Sequence, residues 1–394
     1  MATVREKFPL LNDELKDSMS HLRSHIESGG TQGSRSTSKP DLLDAAELWA
    51  SLNEAHLAYD IEANVWRMFV NTHWGEVHKT QLDEVATTVL RQIGLPVSTA
   101  SRLDGLIRVA AMKCTRLFPL QAHLINFQNG TLDLNSMELR SHGEGDGLVY
   151  CLPYDFYPGS HPRIDAFLAD TLPDKSAVAS FKTHVGLALR GDTSMHVVST
   201  VTGPPRVGKT TLLRLSNLIC GQSSSEFAGP SLFCRDVEGK RSRAMWNARR
   251  ITCIDEFPTE ALKDEEVFKI MAAHGGVEMR RMNKDEETNN QWRPKLLLAT
   301  NQIPHIRDIS GAIGERLVIL RTRDKRSNGK PDLKLIDALS AELGAFAATC
   351  IAYAGAALQA GGYPKSRSML TAVQKMLLHG NPLRTFLEER CIMG

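Results

Sequence analysis

A chain of 394 residues has room for two or three domains, and its 42% apolar and 23% charged residues are ordinary for a soluble globular protein. A formal net charge of +2 means that any nucleic-acid surface has to be local rather than global. The seven cysteines are scattered without a C-x-x-C pair, which argues against a zinc site and a disulfide framework and fits a reducing cytosol. Charges interrupt Met1 to Lys16, so no signal peptide is read there.

Residues 1–40 read as a short amphipathic helix, about Leu10 to Glu27, followed by a Gly/Ser/Thr tract that has nothing to bury and suits a linker. Residues 41–150 read as a smaller mixed α+β domain. Helical apolar spacing runs over Leu42 to Ala58 and Thr80 to Gly94, and alternation marks a strand pair over Val65 to Val70 and a stretch ending at Trp74. Asn129 to Leu134 and Met137 to Leu139 form a hairpin pattern joined through Asn135 and Ser136. Trp66 and Trp74 are most simply core residues, with base stacking as the other use of such rings. Prolines and a glycine between Leu152 and Pro162 mark a boundary, and residues 151–195 continue as two helices, Ile164 to Leu172 and Ser176 to Leu189.

Residues 196–330 carry the chemistry. An apolar β-branched run, His196 to Val201, leads into Gly203-Pro204-Pro205-Arg206-Val207-Gly208-Lys209-Thr210, which fits G-x-x-x-x-G-K-[ST] at every fixed position. Helical spacing follows from Thr211. Strand, glycine loop and helix together predict a polyphosphate cradle of backbone N–H groups at a helix N-terminus. Lys209 is placed for the β- and γ-phosphates and the Thr210 hydroxyl for Mg²⁺. Downstream, Arg250 to Glu256 is an apolar strand ending in two carboxylates. Asp255 suits a Mg²⁺ ligand and Glu256 a base for the attacking water, a pairing that a hydrolase needs and a transferase does not. A third strand, Lys295 to Thr300, ends in Asn301, whose amide suits holding the same water. A fourth, Leu317 to Leu320, follows Arg316, which suits a finger reaching a neighbouring subunit's nucleotide; Arg321 and Arg323 compete for that role. Alternation from Val277 to Met282, with Arg280 and Arg281, reads as a hairpin with Lys284 at its tip, suited to a nucleic-acid backbone. Residues 331–394 read as a C-terminal helical segment. The apolar run from about Gly344 to Ala360 falls short of a membrane span and suits a buried helix.

The order GPPRVGKTT, ITCIDEF, GGVEMRRMNKDE, KLLLATNQIP and GERLVILR resembles the superfamily 3 helicases. More narrowly, the chain is similar to the helicase half of phage, plasmid and poxvirus primase-helicases, with NGTLDLNSMELRSH and YDFYPGSHPRIDAFL resembling the family's preceding domain. The resemblance implies an AAA+-like P-loop core around a parallel sheet within an α/β fold, a hexameric ring on single-stranded DNA, and 3′→5′ translocation driven by ATP and Mg²⁺. It implies Lys209, Thr210 and Thr211 beside the phosphates, Asp255 and Glu256 as the acidic pair, Asn301 as polar sensor, Arg316 as finger, and Lys284 with Arg280 and Arg281 on DNA. About forty residues precede the middle domain, too few for a primase domain, so priming is expected in trans. The C-terminal stretch Asn381 to Glu389 resembles the lead-in to a further DNA-binding module. The expected setting is a host cytoplasm, during replication of a mobile element. A second reading is a ring ATPase that loads or gathers replication proteins without unwinding.

Overall fold

The computed structural model describes residues 40–53, 57–97, 99–257, 265–280, 287–302, 312–325 and 334–379. The expected N-terminal helix and linker, and the stretch Asn381 to Glu389, lie outside the described residues. The chain divides into two compact units, one of residues Met1–Gln121 and Ser141–Cys151, the other of Ala122–Arg140 and Leu152–Gly394.

The first unit holds α1 (Leu42–Asn53), β1 (Leu57–Asp60), β2 (Val65–Phe69), β3 (Trp74–Glu76), α2 (Lys79–Gln92), α3 (Ala100–Lys113) and β4 (Thr115–Arg116). Its sheet runs β3-β2-β1-β4, with β4 parallel to β1 and the other pairs antiparallel. The helical spacing over Leu42 to Ala58 overran. Leu57 to Asp60 is a strand, because pairing such as Tyr59 with Trp66 overrides a local preference that spacing alone cannot separate. Trp49, Trp66, Leu82, Val89, Leu90 and Leu106 share one core. Trp74 is fully buried, donates its ring N–H to the Glu144 carbonyl at 2.9 Å, and lies under the Arg116 guanidinium at 4.6 Å. Both tryptophans are therefore core residues, closed to base stacking.

The second unit begins with β5 (Leu124–Phe127), β6 (Gly130–Asp133) and β7 (Glu138–Arg140), an antiparallel meander. The hairpin read across Asn135 and Ser136 is present, with Asp133 opposite Glu138. It groups with the second unit rather than with the middle domain, because Leu152 N–H donates to the Asn126 carbonyl and the Asn129 amide brackets Phe156. Then come α4 (Pro162–Thr171), α5 (Lys175–Arg190), β8 (Val198–Thr202), α6 (Lys209–Ile219), α7 (Val237–Trp246), β9 (Ile251–Ile254), α8 (Glu265–Ala272), β10 (Gly276–Arg280), β11 (Glu287–Gln291), β12 (Lys295–Thr300), α9 (Ala312–Arg316), β13 (Leu317–Arg321), α10 (Leu335–Ser340), α11 (Leu343–Ala360) and α12 (Arg367–His379).

The central sheet runs β13-β8-β12-β9, every pair parallel. Strands β8, β9 and β12 are buried along their whole length, which is why they read as unbroken apolar runs rather than as alternation. Phe233, Phe268, Trp292, Leu296, Leu298 and Ile319 belong to one core cluster of this unit. Helix α11 is long and apolar enough to cross a membrane by length and composition, and half of it is buried. It packs on α5 so closely that a Cβ at Gly186 would lie 1.9 Å from the Cys350 carbonyl oxygen. None of the described cysteines is in a disulfide.

Candidate nucleotide site

Strands β8, β9 and β12 end on the same side of the sheet, and each delivers one part of the site. From β8 the chain enters the glycine loop. Gly203 has φ 152°, and a Cβ there would lie 1.9 Å from the Thr322 hydroxyl, so only glycine fits. Gly208 starts α6 at φ 104°, and Arg206 between them sits at φ 66°. Two left-handed residues and a helix N-terminus aim backbone N–H groups into one concavity, the geometry that receives a phosphate chain.

Lys209 is buried inside this loop. Its ammonium donates to the Gly203 carbonyl at 2.8 Å, the Pro204 carbonyl at 2.7 Å and Asn301 Oδ1 at 2.9 Å. Burial pulls its pKa below the usual lysine value, while Asp255 and Glu256 oppose the shift. Thr210 donates its hydroxyl to Asp255 Oδ2 at 2.8 Å. A hydroxyl and a carboxylate in contact are hard oxygen donors, a set that suits Mg²⁺ with its remaining positions on water and phosphate. No group of three or more His, Cys, Asp or Glu converges as a metal cage among the described residues. Glu256 follows at φ 54° and is exposed, its N–H donating to Asp255 Oδ1 at 3.1 Å. A non-glycine residue held left-handed at a strand end is a small strain that the neighbouring Phe257, bonded to Ala299, keeps in place.

The structure thus makes two hydrogen-bonded pairs from adjacent residues of the loop, Lys209 with Asn301 and Thr210 with Asp255, with Glu256 following Asp255 and Pro204, Pro205, Val207 and Thr211 in or next to the loop. Arg316 is elsewhere. It ends α9 just before Leu317, which pairs with Val198 at the start of β8, so it lies one strand length from its own loop. Arg321 pairs with Thr202 at the loop end of the sheet and reaches Asp324 at 3.6 Å. Arg323 donates to the Ala169 carbonyl at 3.0 Å. These two are placed for their own site and Arg316 is not. Arg280 closes β10 opposite Glu287, while Arg281 and Lys284 lie outside the described residues.

A cleft of about 1310 Å³ opens beside the loop, lined among others by Thr202, Pro204, Asn301, Arg323, Arg367 and Lys375. The last two were missed in the sequence. Arg367 starts α12 and Lys375 lies within it, and the helix start is held here by Asp174: that carboxylate caps α5 through Ser176 and accepts hydroxyls from Ser366 at 2.6 Å and Ser368 at 2.8 Å. Those bonds, the Ser366 hydroxyl first, hold the Asp174 pKa below the usual carboxylate value. Nothing local in the sequence signals a contact that spans so much of the chain.

Residues 46–173 match the family model described as D5 N terminal like. No curated protein sequence matches the chain. Among solved structures, the A form apo structure of the NrS-1 C terminal region is similar with TM-score 0.52 and 11% identity over 90% of this chain and 84% of that one. A second A form structure of that region, 305-718, gives TM-score 0.52 at 10% identity with the same coverage. An apo structure of the same region gives 0.52 at 11%. At such identity the likeness is one of fold. The family match covers residues 46–173, ahead of the glycine loop, and the solved structures add a likeness of fold over most of the chain.

Proposed function

We propose that this chain is an ATP-driven DNA helicase of the superfamily 3 kind, with an AAA+-like core, working as a ring on single-stranded DNA in replication of a phage, plasmid or similar element. The observation that carries this reading is the two hydrogen-bonded pairs Lys209–Asn301 and Thr210–Asp255 at the ends of three adjacent parallel strands, with Asn301's strand between the other two. In that order the Asn301 amide comes between the glycine loop and the acids, which supports a role in holding the attacking water.

In this reading the loop N–H groups and Lys209 bind the triphosphate, and the cleft lined by Arg323 and Arg367 takes the nucleoside. Thr210 and Asp255 hold Mg²⁺, which supplies neutralising charge at the phosphates. Glu256 takes the proton of the attacking water and Asn301 orients that water. Arg316, remote from its own loop, serves a neighbouring copy. Residues of the β10–β11 hairpin contact the DNA strand, Lys284 and Arg281 among them. The deciding experiment is ATP turnover and unwinding of a forked DNA by the wild type and Lys209→Ala. Turnover and unwinding by the wild type alone support the reading. Turnover without unwinding favours the loader, and turnover retained by Lys209→Ala sinks the site.

A further inference from the structure

At the opposite end of the central sheet from the phosphate loop, a lysine is buried. Lys295, the first residue of β12, is 1% exposed, and its ammonium donates to the Met195 carbonyl at 2.6 Å and to His274 Nε2 at 3.1 Å. His274, also buried, bonds through Nδ1 to the Trp292 carbonyl at 3.0 Å. An ammonium can only donate and a carbonyl can only accept, so the ring carries its proton on Nδ1 and is neutral. Burial first, then the Lys295 charge, pushes the His274 pKa down to about 3, in accord with that tautomer. Lys295 itself is pushed down to about 8 by burial, with Asp192 opposing, and so stays charged at neutral pH. The His196 ring lies 6.2 Å from that of His274, and His184 in α5 also feels the Lys295 charge.

A buried ammonium is costly to desolvate, and apolar replacements of such ions are often as stable. What an apolar side chain does not supply is a fixed meeting point. Here three segments meet: Met195, leading into the strand that carries the phosphate loop; Lys295, at the start of the strand that ends at Asn301 about 20 Å away; and, through His274, the root of the β10–β11 hairpin. That root is closed by Trp292, fully buried, whose N–H donates to the Gly275 carbonyl at 2.9 Å. His274 holds φ 51°, a left-handed position for a non-glycine residue that these contacts maintain.

We propose that Lys295 and His274 are positioning residues forming a buried joint, through which rearrangement of the nucleotide-bearing strands moves the β10–β11 hairpin. This rests on the motor reading above. The test uses the full chain with Lys295→Met, reading ATP affinity, DNA-free ATP turnover, stimulation of turnover by single-stranded DNA, and unwinding. The expected result is unchanged affinity and DNA-free turnover, with stimulation and unwinding reduced about tenfold, the size of coupling that residues between two sites carry. His274→Leu is expected to behave in the same way. His274→Gln, whose amide keeps an acceptor for Lys295 and a donor for Trp292, is expected to restore coupling. Full DNA stimulation in Lys295→Met overturns the joint, and so does a parallel loss of affinity, DNA-free turnover and unwinding, which marks a structural role. If Lys295→Met does not fold, the His274→Leu and His274→Gln pair decides: equal behaviour of the two overturns the proposal. A wild type without ATP turnover fails at the motor reading instead, and takes the joint with it.

Discussion

Lys209 donates a 2.9 Å hydrogen bond to Asn301, a side chain delivered by a different strand, and spends its other protons on two carbonyls of its own loop. The ammonium is thus stored, buried, inside the glycine loop that the proposed function assigns to phosphate. Lys209→Ala removes the only buried cation of the loop, and the expected outcome is loss of ATP turnover with the fold retained. Circular dichroism and a phosphate-release assay check the two halves of that statement.

Glu256 and Asp255 differ in what holds them. Asp255 accepts the Thr210 hydroxyl, whereas Glu256 is exposed and left-handed beside it. Glu256→Gln is therefore expected to keep nucleotide binding and lower turnover by about 10²–10⁴-fold, the range for loss of a general base. Asp255→Asn is expected to weaken Mg²⁺-dependent binding as well. Titration of a fluorescent ATP analogue with and without Mg²⁺ separates them, and equal binding defects in both variants would count against the division of roles.

The legible parts of this molecule are those whose cause is local. Strands β8, β9 and β12 are buried on both faces, so they show as apolar runs, and Gly203 and Gly208 show because the loop backbone holds φ of 152° and 104° there. Strand β1 was hidden because Leu57 to Asp60 has no strong alternation and owes its form to pairing with β2. Lys295 was hidden for a related reason. A lysine at a strand start reads as solvated, and its burial arises from Met195 and His274, remote in sequence. Contacts of that kind leave no spacing to read.

Arg316 sits at the end of the sheet away from its own loop, while Arg321 and Arg323 sit beside theirs. A finger acting between copies has that placement. Arg316→Ala is expected to lose about 10³–10⁵-fold in turnover, and mixing it with Glu256→Gln subunits is expected to restore part of the activity, because each mutant supplies what the other lacks at shared seams. Arg323→Ala is expected to give no such complementation. Turnover of mixed and unmixed preparations at matched concentration checks both.

Gly186 is the close-approach point of α5 and α11. A methyl group there meets the Cys350 carbonyl at 1.9 Å and Ala354 Cβ at 2.9 Å, neither of which is the end of a flexible side chain. Gly186→Ala is expected to destabilise by at least about 1–3 kcal/mol, the usual cost of overpacking. Gly362→Ala, where nothing lies within 4 Å and φ is ordinary, is expected to be close to neutral. Thermal unfolding of the two variants is the measurement.

The buried titratable groups set the pH dependence of stability. His184 and His274 are each pushed down to about 3 from the ordinary 6.5, by burial first. Below pH 6.5 the unfolded chain therefore binds protons that the folded chain refuses, and stability falls as pH drops from 6.5 toward 3. Lys295, at about 8 against an ordinary 10.5, acts in the alkaline range: between those values the unfolded chain again holds the extra proton, so its contribution rises with pH. His184→Phe is expected to flatten the acid limb, although it leaves the Tyr363 hydroxyl, now 3.1 Å from His184 Nδ1, in need of another partner. Lys295→Met is expected to lack the alkaline rise. Urea midpoints recorded across pH for the wild type and both variants test the assignment by slope rather than by absolute stability. Parallel curves for wild type and Lys295→Met between pH 8 and 10.5 would show that folding does not lower the Lys295 pKa.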